Sequence, residues 1–541
     1  MSKSSRFYVT TPIYYVNDRP HLGHVYTTMV ADVVARYHRL KGDDTFFLTG
    51  VDEHAAKVSD KAAEKGLSAQ AWADQNAMAF RDVFERLEMT NDDFVRTSED
   101  RHKEGVTRYA QALLDSGDVY QGNYEGWYDV GQEEYVPENK AKQNDFLSEV
   151  NGQPLVRKAE KNYFFKLAAY REPLLSFYSQ RDHQGMPFVQ PEARKNEVVN
   201  RIREMEDVPI SRTGSGGWGI PVPGDPEQTI YVWIDALFNY LTYVDTDSAS
   251  ESGDRRKYWQ AGAIHFIAKD ILWFHAAIWP ALLLALQKCR GYEWVNLPAQ
   301  VYSHSYWVSA SGQKMSKTLG NFLDPEVMDR YVSEFGLDAL RYFLSTRGPL
   351  GVSDCAFSPS LFAEVYNSDL ANTFGNCCSR VANMIGKYFD GRLPQALPDD
   401  HDEHIRFEVS DWASEYQRYF DALDLGRAAE AALLPVREVD AYIERTQPFR
   451  MAKEESKRPA VGTVLCQCAE ALRIASVLLW PFIPDACESF WQRIGCTHYA
   501  DALANNGPGK LKAWVKWGQL VPDTPFEKGA PLFPRYQADA S

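Results

Sequence analysis

Apolar runs and helix-spaced apolar positions take turns along the first part of the chain. "FYVT" predicts a strand and His24 to Lys41 a helix. "DTFFLTGVD" predicts a second strand, Glu53 to Gly66 and Ser68 to Leu87 two helices, "DFVRTS" a third strand, and Glu99 to Gly117 a helix. Such alternation predicts a parallel sheet that takes its ligands at the carboxyl ends of the strands. From Val119 to Pro226 the pattern turns aromatic and turn-rich, with "NYFFKL" as a strand and "GSGGWGIPVPGDP" as a loop, which reads as an insertion into the sheet domain. Strand–helix alternation returns with "TIYVWIDALFNYL" and "AIHFIAKDILWFHAAIW". Helical spacing then dominates from about Ser360 to Ile494, broken by the polar stretch "GRLPQALPDDHDEH".

Composition narrows the class. With 541 residues, 45% of them hydrophobic, the chain buries large cores and divides into several domains. No basic flank followed by an apolar stretch opens the sequence, so no secretory signal is read. The longest apolar run, "ILWFHAAIWPALLLAL", is interrupted by His275 and Pro280 and reads as a buried helix rather than a membrane span. The eight cysteines form no C-x-x-C pair, which predicts free thiols in a reducing cytoplasm. A net charge of −16 argues against non-specific polyanion binding, so any nucleic-acid contact must use local basic patches.

Two stretches carry candidate chemistry. "PHLGH", Pro20 to His24, lies where the first strand hands over to a helix, and a helix start attracts phosphate. Gly23 allows close backbone approach, and His21 and His24 can donate to phosphate oxygens. "SGQKMSKTLGN", Ser311 to Asn321, carries Lys314 and Lys317 around Ser316 with glycines on both sides, a loop able to close ammonium groups over a polyphosphate. Taken singly, the first is also an ordinary polar helix start and the second a solvated turn. Together, "HLGH" and "KMSKT" resemble the HIGH and KMSKS signatures of class I aminoacyl-tRNA synthetases. The order "TPIYYVNDRPHLGH", "FFLTGVDEH", "YVWIDALFNY", "IAKDILWFHAAIWP", "KMSKTLGN" resembles the methionine–tRNA ligase family, from Phe7 to "LFPRY".

The resemblance implies an α/β fold: a Rossmann-like parallel-sheet catalytic domain in two halves (1–118 and 227–296) around a connective insertion (119–226). A stem-contact region bearing the KMSKT loop (297–359), an α-helical anticodon-binding bundle (360–520) and a C-terminal tail (521–541) follow. It also implies the substrates L-methionine, ATP with Mg²⁺, and initiator and elongator tRNA(Met). His21, His24, Lys314 and Lys317 would be catalytic, and Gly23, Asp270 and Ser316 would join them around ATP. Methionine would lie among Ile13, Tyr15, Asp52, Trp233, Ala236, Leu237, Tyr240, Ile271, His275 and Trp279, with Asp52 on the ammonium and an aromatic wall on the thioether. Asn376 and Arg380, one helical turn apart, and Phe449, where the family usually has tryptophan, would meet the anticodon.

Three departures from the family pattern stand out. Ala55 and Ala268 replace usual glycines, and an added methyl could narrow the backbone's approach to the nucleotide. In the insertion, Asp129, Gln132, Ser148 and Asn151 stand where relatives carry zinc-binding cysteine or histidine, so no zinc is expected. The chain stops after "LFPRYQADAS" without an appended nucleic-acid-binding barrel, and a monomer with no membrane attachment is the expectation. A synthetase for another amino acid, a non-catalytic RNA-binding relative and a small-molecule adenylyltransferase are the alternatives. The last leaves the helical C-terminal region unexplained.

Overall fold

In this computed structural model the described residues are 5–132, 134–213, 217–246, 253–309, 325–397, 402–504 and 510–537. Six strands form the central sheet: β1 (Arg6–Tyr15), β2 (Asp44–Asp52), β3 (Asp93–Arg96), β4 (Val189–Gln190), β5 (Ala263–Ala268) and β6 (Gln300–His304). Their order is β3-β2-β1-β5-β6-β4, and every neighbouring pair is parallel. Strands covered on both faces need continuous apolar runs, and β2 meets this with "FFLTGVD", buried from Phe46 to Asp52. From β1 the chain proceeds outward to β2 and β3, then crosses to the opposite side, where β4 takes the far edge before β5 pairs with β1. The strand order therefore reverses between β1 and β5, opening a crevice at their carboxyl ends.

Helix α1 (Leu22–Lys41) follows β1 and ends at Gly42 in the left-handed conformation, φ 97°. α2 (Asp100–Asp115) follows β3, and the short α3 (Val232–Leu237) precedes β5. Between the sheet halves, strands Val119–Asp129 and Val156–Phe165 pair along their whole length in a four-stranded antiparallel sheet. The insertion then returns to the catalytic sheet, because β4 pairs with Val301 and Tyr302 at its edge.

C-terminal to the sheet come α4 (Leu337–Arg347), α5 (Asn376–Phe389), α6 (Leu425–Thr446), α7 (Arg458–Leu479) and α8 (Pro484–Arg493). The helical segment Glu455–Leu479 is long and apolar enough to cross a membrane, yet 94% of its most apolar window is buried within the protein. Residues apolar around the whole helix belong at the centre of a bundle. A buried polar seam ties bundle to sheet. Asp32 and Arg36 of α1 pair at 2.7 Å, Asp338 and Arg341 of α4 pair at 3.0 Å, and Asp338 accepts the Ala486 N–H of α8 at 2.8 Å. Burial pushes the Asp338 carboxyl up to about 7 against the opposing pull of Arg341.

Candidate active site

The crevice between β1 and β5 opens into a cavity of about 600 Å³. At one edge lies the start of α1. His21 occupies the position before the first helical residue, and its Nδ1 accepts the Gly23 N–H at 3.0 Å. The His24 Nδ1 accepts the His21 N–H at 3.2 Å, and the two rings stack at 3.7 Å. Both Nδ1 atoms act as acceptors, so the proton of each neutral ring sits on Nε2. Burial, helped by His21, keeps His24 well below the usual histidine range, so it is neutral at pH 7. The two rings are thus N–H donors oriented by the helix cap, at the end where the helix dipole favours anions. A Cβ at Gly23 would lie 2.9 Å from Cε1 of His21, so a larger residue there would displace the His21 ring.

Across the crevice β5 ends in a turn carrying Asp270, which borders the same cavity. Beside it His304, at the end of β6, donates from Nδ1 to the Ser305 carbonyl at 2.8 Å and meets Thr27 Oγ1 of α1 with Nε2, also at 2.8 Å. Burial holds His304 down to about 4. This contact ties the first turns of α1 to the end of β6.

The other end of the cavity is apolar and aromatic. Trp233 stacks on Phe274 at 4.4 Å and meets the Tyr15 ring edge-on at 5.8 Å. His275 donates from Nδ1 to the Ile271 carbonyl at 3.0 Å, so its Nε2 accepts from the Tyr240 hydroxyl at 2.8 Å. Burial lowers His275 to about 4. An uncharged lining with the hydroxyls of Tyr15 and Tyr240 and a π-rich wall suits a neutral, polarisable side chain; sulfur against such rings contributes about 0.3 to 1.5 kcal/mol per contact. Asp52, 2% exposed at the end of β2, also borders the cavity.

Ile13, Tyr15, His21, Gly23, His24, Asp52, Trp233, Ala236, Leu237, Tyr240, Asp270, Ile271 and His275 therefore border one cavity. Trp279 does not. It is fully buried behind Tyr240, with ring centroids 5.9 Å apart, and packs on Trp259. Lys314, Ser316 and Lys317 lie outside the described residues. Ala55 and Ala268 both adopt extended φ/ψ that any L-residue takes, so backbone conformation does not call for glycine at either, and Ala268 borders the cavity. Asn239, His304, Tyr306 and Trp307 also border the cavity, as does Gln132 from the insertion. "SHSYW" could have been flagged as a strand end on the crevice side; nothing local marked Gln132.

With this geometry in view, comparison with known proteins decides the family. The model of the class I tRNA synthetases (M) matches residues 7–382. The chain belongs to that family. It is 38% identical to the methionine–tRNA ligase of Halalkalibacterium halodurans, covering all of this chain and 80% of that protein. It is also 38% identical to the enzyme of Streptomyces coelicolor, covering 98% and 97%. Among solved structures, Mycobacterium tuberculosis methionyl-tRNA synthetase in complex with methionyl-adenylate superimposes with a TM-score of 0.87 at 34% identity, covering 98% of this chain and all of that one. The apo form of the same protein gives 0.82 at 30% identity, covering 99% of each chain.

The synthetase's helical bundle carries the remaining predicted residues. Asn376 opens α5, exposed. Arg380, one turn on, pairs with Asp440 at 3.4 Å and with Glu444, both of α6. Phe449 follows α6 in a short helical turn and is 37% exposed, the one large aromatic among the described residues of α5 to α7 so presented.

Proposed function

We propose that the protein is a methionine–tRNA ligase acting in two steps. A carboxylate oxygen of L-methionine attacks the α-phosphorus of ATP, forming the acyl-phosphate bond of methionyl-adenylate as the bond to pyrophosphate breaks. A terminal ribose hydroxyl of tRNA(Met), initiator or elongator, then attacks the adenylate carbonyl, forming the ester and releasing AMP. The observation that carries this reading is one cavity bordered by the start of α1, whose dipole favours anions, by an uncharged aromatic wall and by Asp52.

In this reading Asp52 holds the methionine ammonium and thereby aims the carboxylate at ATP. His21 and His24 donate from Nε2 to phosphate oxygens, Asp270 accepts from the ribose hydroxyls, and Gly23 keeps the backbone close to the nucleotide. Lys314, Ser316 and Lys317 meet the departing pyrophosphate. Mg²⁺ enters on the ATP phosphates as part of the substrate. No side chain acts as nucleophile, so the rate enhancement rests on positioning and on donors oriented in advance. Trp279 supports Tyr240 from behind.

For tRNA, Phe449 offers a stacking surface and Asn376 and Arg380 offer hydrogen bonds to unstacked bases, once Arg380 is released from Asp440 and Glu444. The insertion is read as folding without zinc. Asp129 Oδ1 accepts the N–H groups of Gly131 and Gln132, at 2.8 and 3.1 Å, and Ser148 Oγ those of Val150 and Asn151, each at 3.3 Å. Hydrogen-bonded turns thus stand where thiolates would close a metal site. A cytoplasmic monomer completes the reading. Methionine-dependent exchange of pyrophosphate into ATP, followed by charging of tRNA(Met), tests it; exchange that methionine does not stimulate refutes it.

A further inference from the structure

Behind the aromatic wall lies a buried hydrogen-bonded bridge that neither reaction step uses. Trp233, Ala236, Leu237 and Tyr240 follow the spacing of one helical face, and all border the cavity. Asp235 projects from the opposite face and is 1% exposed. Its Oδ2 lies 2.6 Å from Nδ1 of His54 and its Oδ1 2.7 Å from Nε2 of His102, two rings that are themselves buried. Burial by itself would raise this carboxyl, but the two imidazoles outweigh burial and bring it to about 2. An ionised carboxylate only accepts, so both ring nitrogens facing it carry protons.

Each imidazole is anchored in a different part of the catalytic domain. His102 belongs to α2, and its Nδ1 also meets Thr242 Oγ1 at 2.9 Å, on the same back face as Asp235. The approach there is tight: a Cβ on Gly105 of α2 would fall 2.5 Å from Cγ2 of Thr242. His54 follows the end of β2, and its backbone N–H donates to Asp52 Oδ1 at 3.3 Å. Its ring meets Trp218 of the insertion edge-on at 5.4 Å, and the Trp218 indole donates to the Glu53 carbonyl at 2.6 Å. The carboxylate assigned to the substrate ammonium and the wall assigned to its side chain are therefore joined through His54 and Asp235. None of the three bridge residues borders the cavity.

We propose that His54, Asp235 and His102 are positioning residues that hold the side-chain wall of the pocket in register with Asp52, and so set the affinity and selectivity for methionine. The inference rests on the assignment of this pocket to methionine. Asp235→Asn keeps the shape but turns one acceptor into a donor, which breaks one arm of the bridge. The expected result is a rise of about ten-fold or more in KM for methionine, because small misplacements in a binding site are costly. KM for ATP should stay within about two-fold, and preference for methionine over an analogue one methylene longer should relax by about ten-fold.

The test measures pyrophosphate exchange kinetics with the full-length protein, with the active fraction taken from the adenylate burst. A merely structural role predicts fewer active molecules with unchanged KM and unchanged preference, and that outcome overturns the proposal. Where Asp235→Asn does not fold, His102→Leu removes one arm and must raise KM in the same way. His102→Gln, which keeps an N–H toward Asp235, must restore it. Trp233→Ala separates the two layers of inference. If it leaves KM for methionine unchanged, the pocket assignment is wrong; if it raises KM while the bridge variants do not, only the bridge proposal falls.

Discussion

The crevice and the end of the bundle that carries Arg380 and Phe449 present opposite arrangements. In the crevice Asp52, His275 and His304 are buried and His21 and His24 half-buried, and the ring protons are placed before any ligand arrives. Backbone donors hold His21 and His24 in the tautomer that presents Nε2–H, and a backbone carbonyl does the reverse for His275. At the bundle end Phe449 is partly bare, and Arg380 is engaged by two carboxylates. Chemistry on a small substrate needs donors that do not reorganise, and burial provides that. Recognition of a large partner can use exposed groups that rearrange on contact.

The sharpest way to break this contrast is to remove a donor from the crevice. His24→Ala is expected to lower kcat for pyrophosphate exchange by about 10² to 10³-fold, and a change under about three-fold would remove the helix start from the chemistry. Asp52→Asn should cost about 2 to 5 kcal/mol of methionine binding, the usual effect of truncating a desolvated charge pair. It should appear in KM for methionine and leave KM for ATP nearly unchanged. Phe449→Ala should behave in the opposite manner. Pyrophosphate exchange stays intact while kcat/KM for tRNA falls by the equivalent of about 1 to 3 kcal/mol, the usual worth of one stacked base. Equal loss in both assays would mean that the bundle end acts on the crevice rather than on the tRNA.

The last expected effect is on stability and follows pH. His275 and His304 each have a folded value of about 4 against an ordinary 6.5, both through burial. The unfolded chain therefore binds protons that the folded chain refuses between those values. Their contribution to stability is fully present above pH 6.5 and declines as pH falls toward 4, by up to about 1.4 kcal/mol per pH unit for each ring. Thermal unfolding followed from pH 7 to 5 should show the decline, and His304→Gln should flatten it.

Much of the crevice was legible because parallel sheets put ligand groups where strands end, and "HLGH", "GVDEH" and "AKDI" are strand ends on the page of the sequence. Trp233 and Trp279 were not distinguishable in that way, since both are tryptophans at helical spacing near apolar runs. The segment Phe274–Ile278 is π-helical, which turns later residues relative to α-helical spacing, and Trp279 lies beneath Tyr240 instead of on the cavity. The edge strand β4 is only two residues long, too short to produce a periodic signal, and it was hidden inside the insertion.

Local spacing determined the order of strands and helices, the motif-bearing loops and the family, because each depends on residues close together in the chain. The tertiary structure alone decided which faces meet the cavity, which ring nitrogen carries each proton, and that His54 and His102 share Asp235. Those outcomes depend on burial and on partners far away in sequence, and a hydrogen bond between distant residues leaves no trace in the pattern around either one.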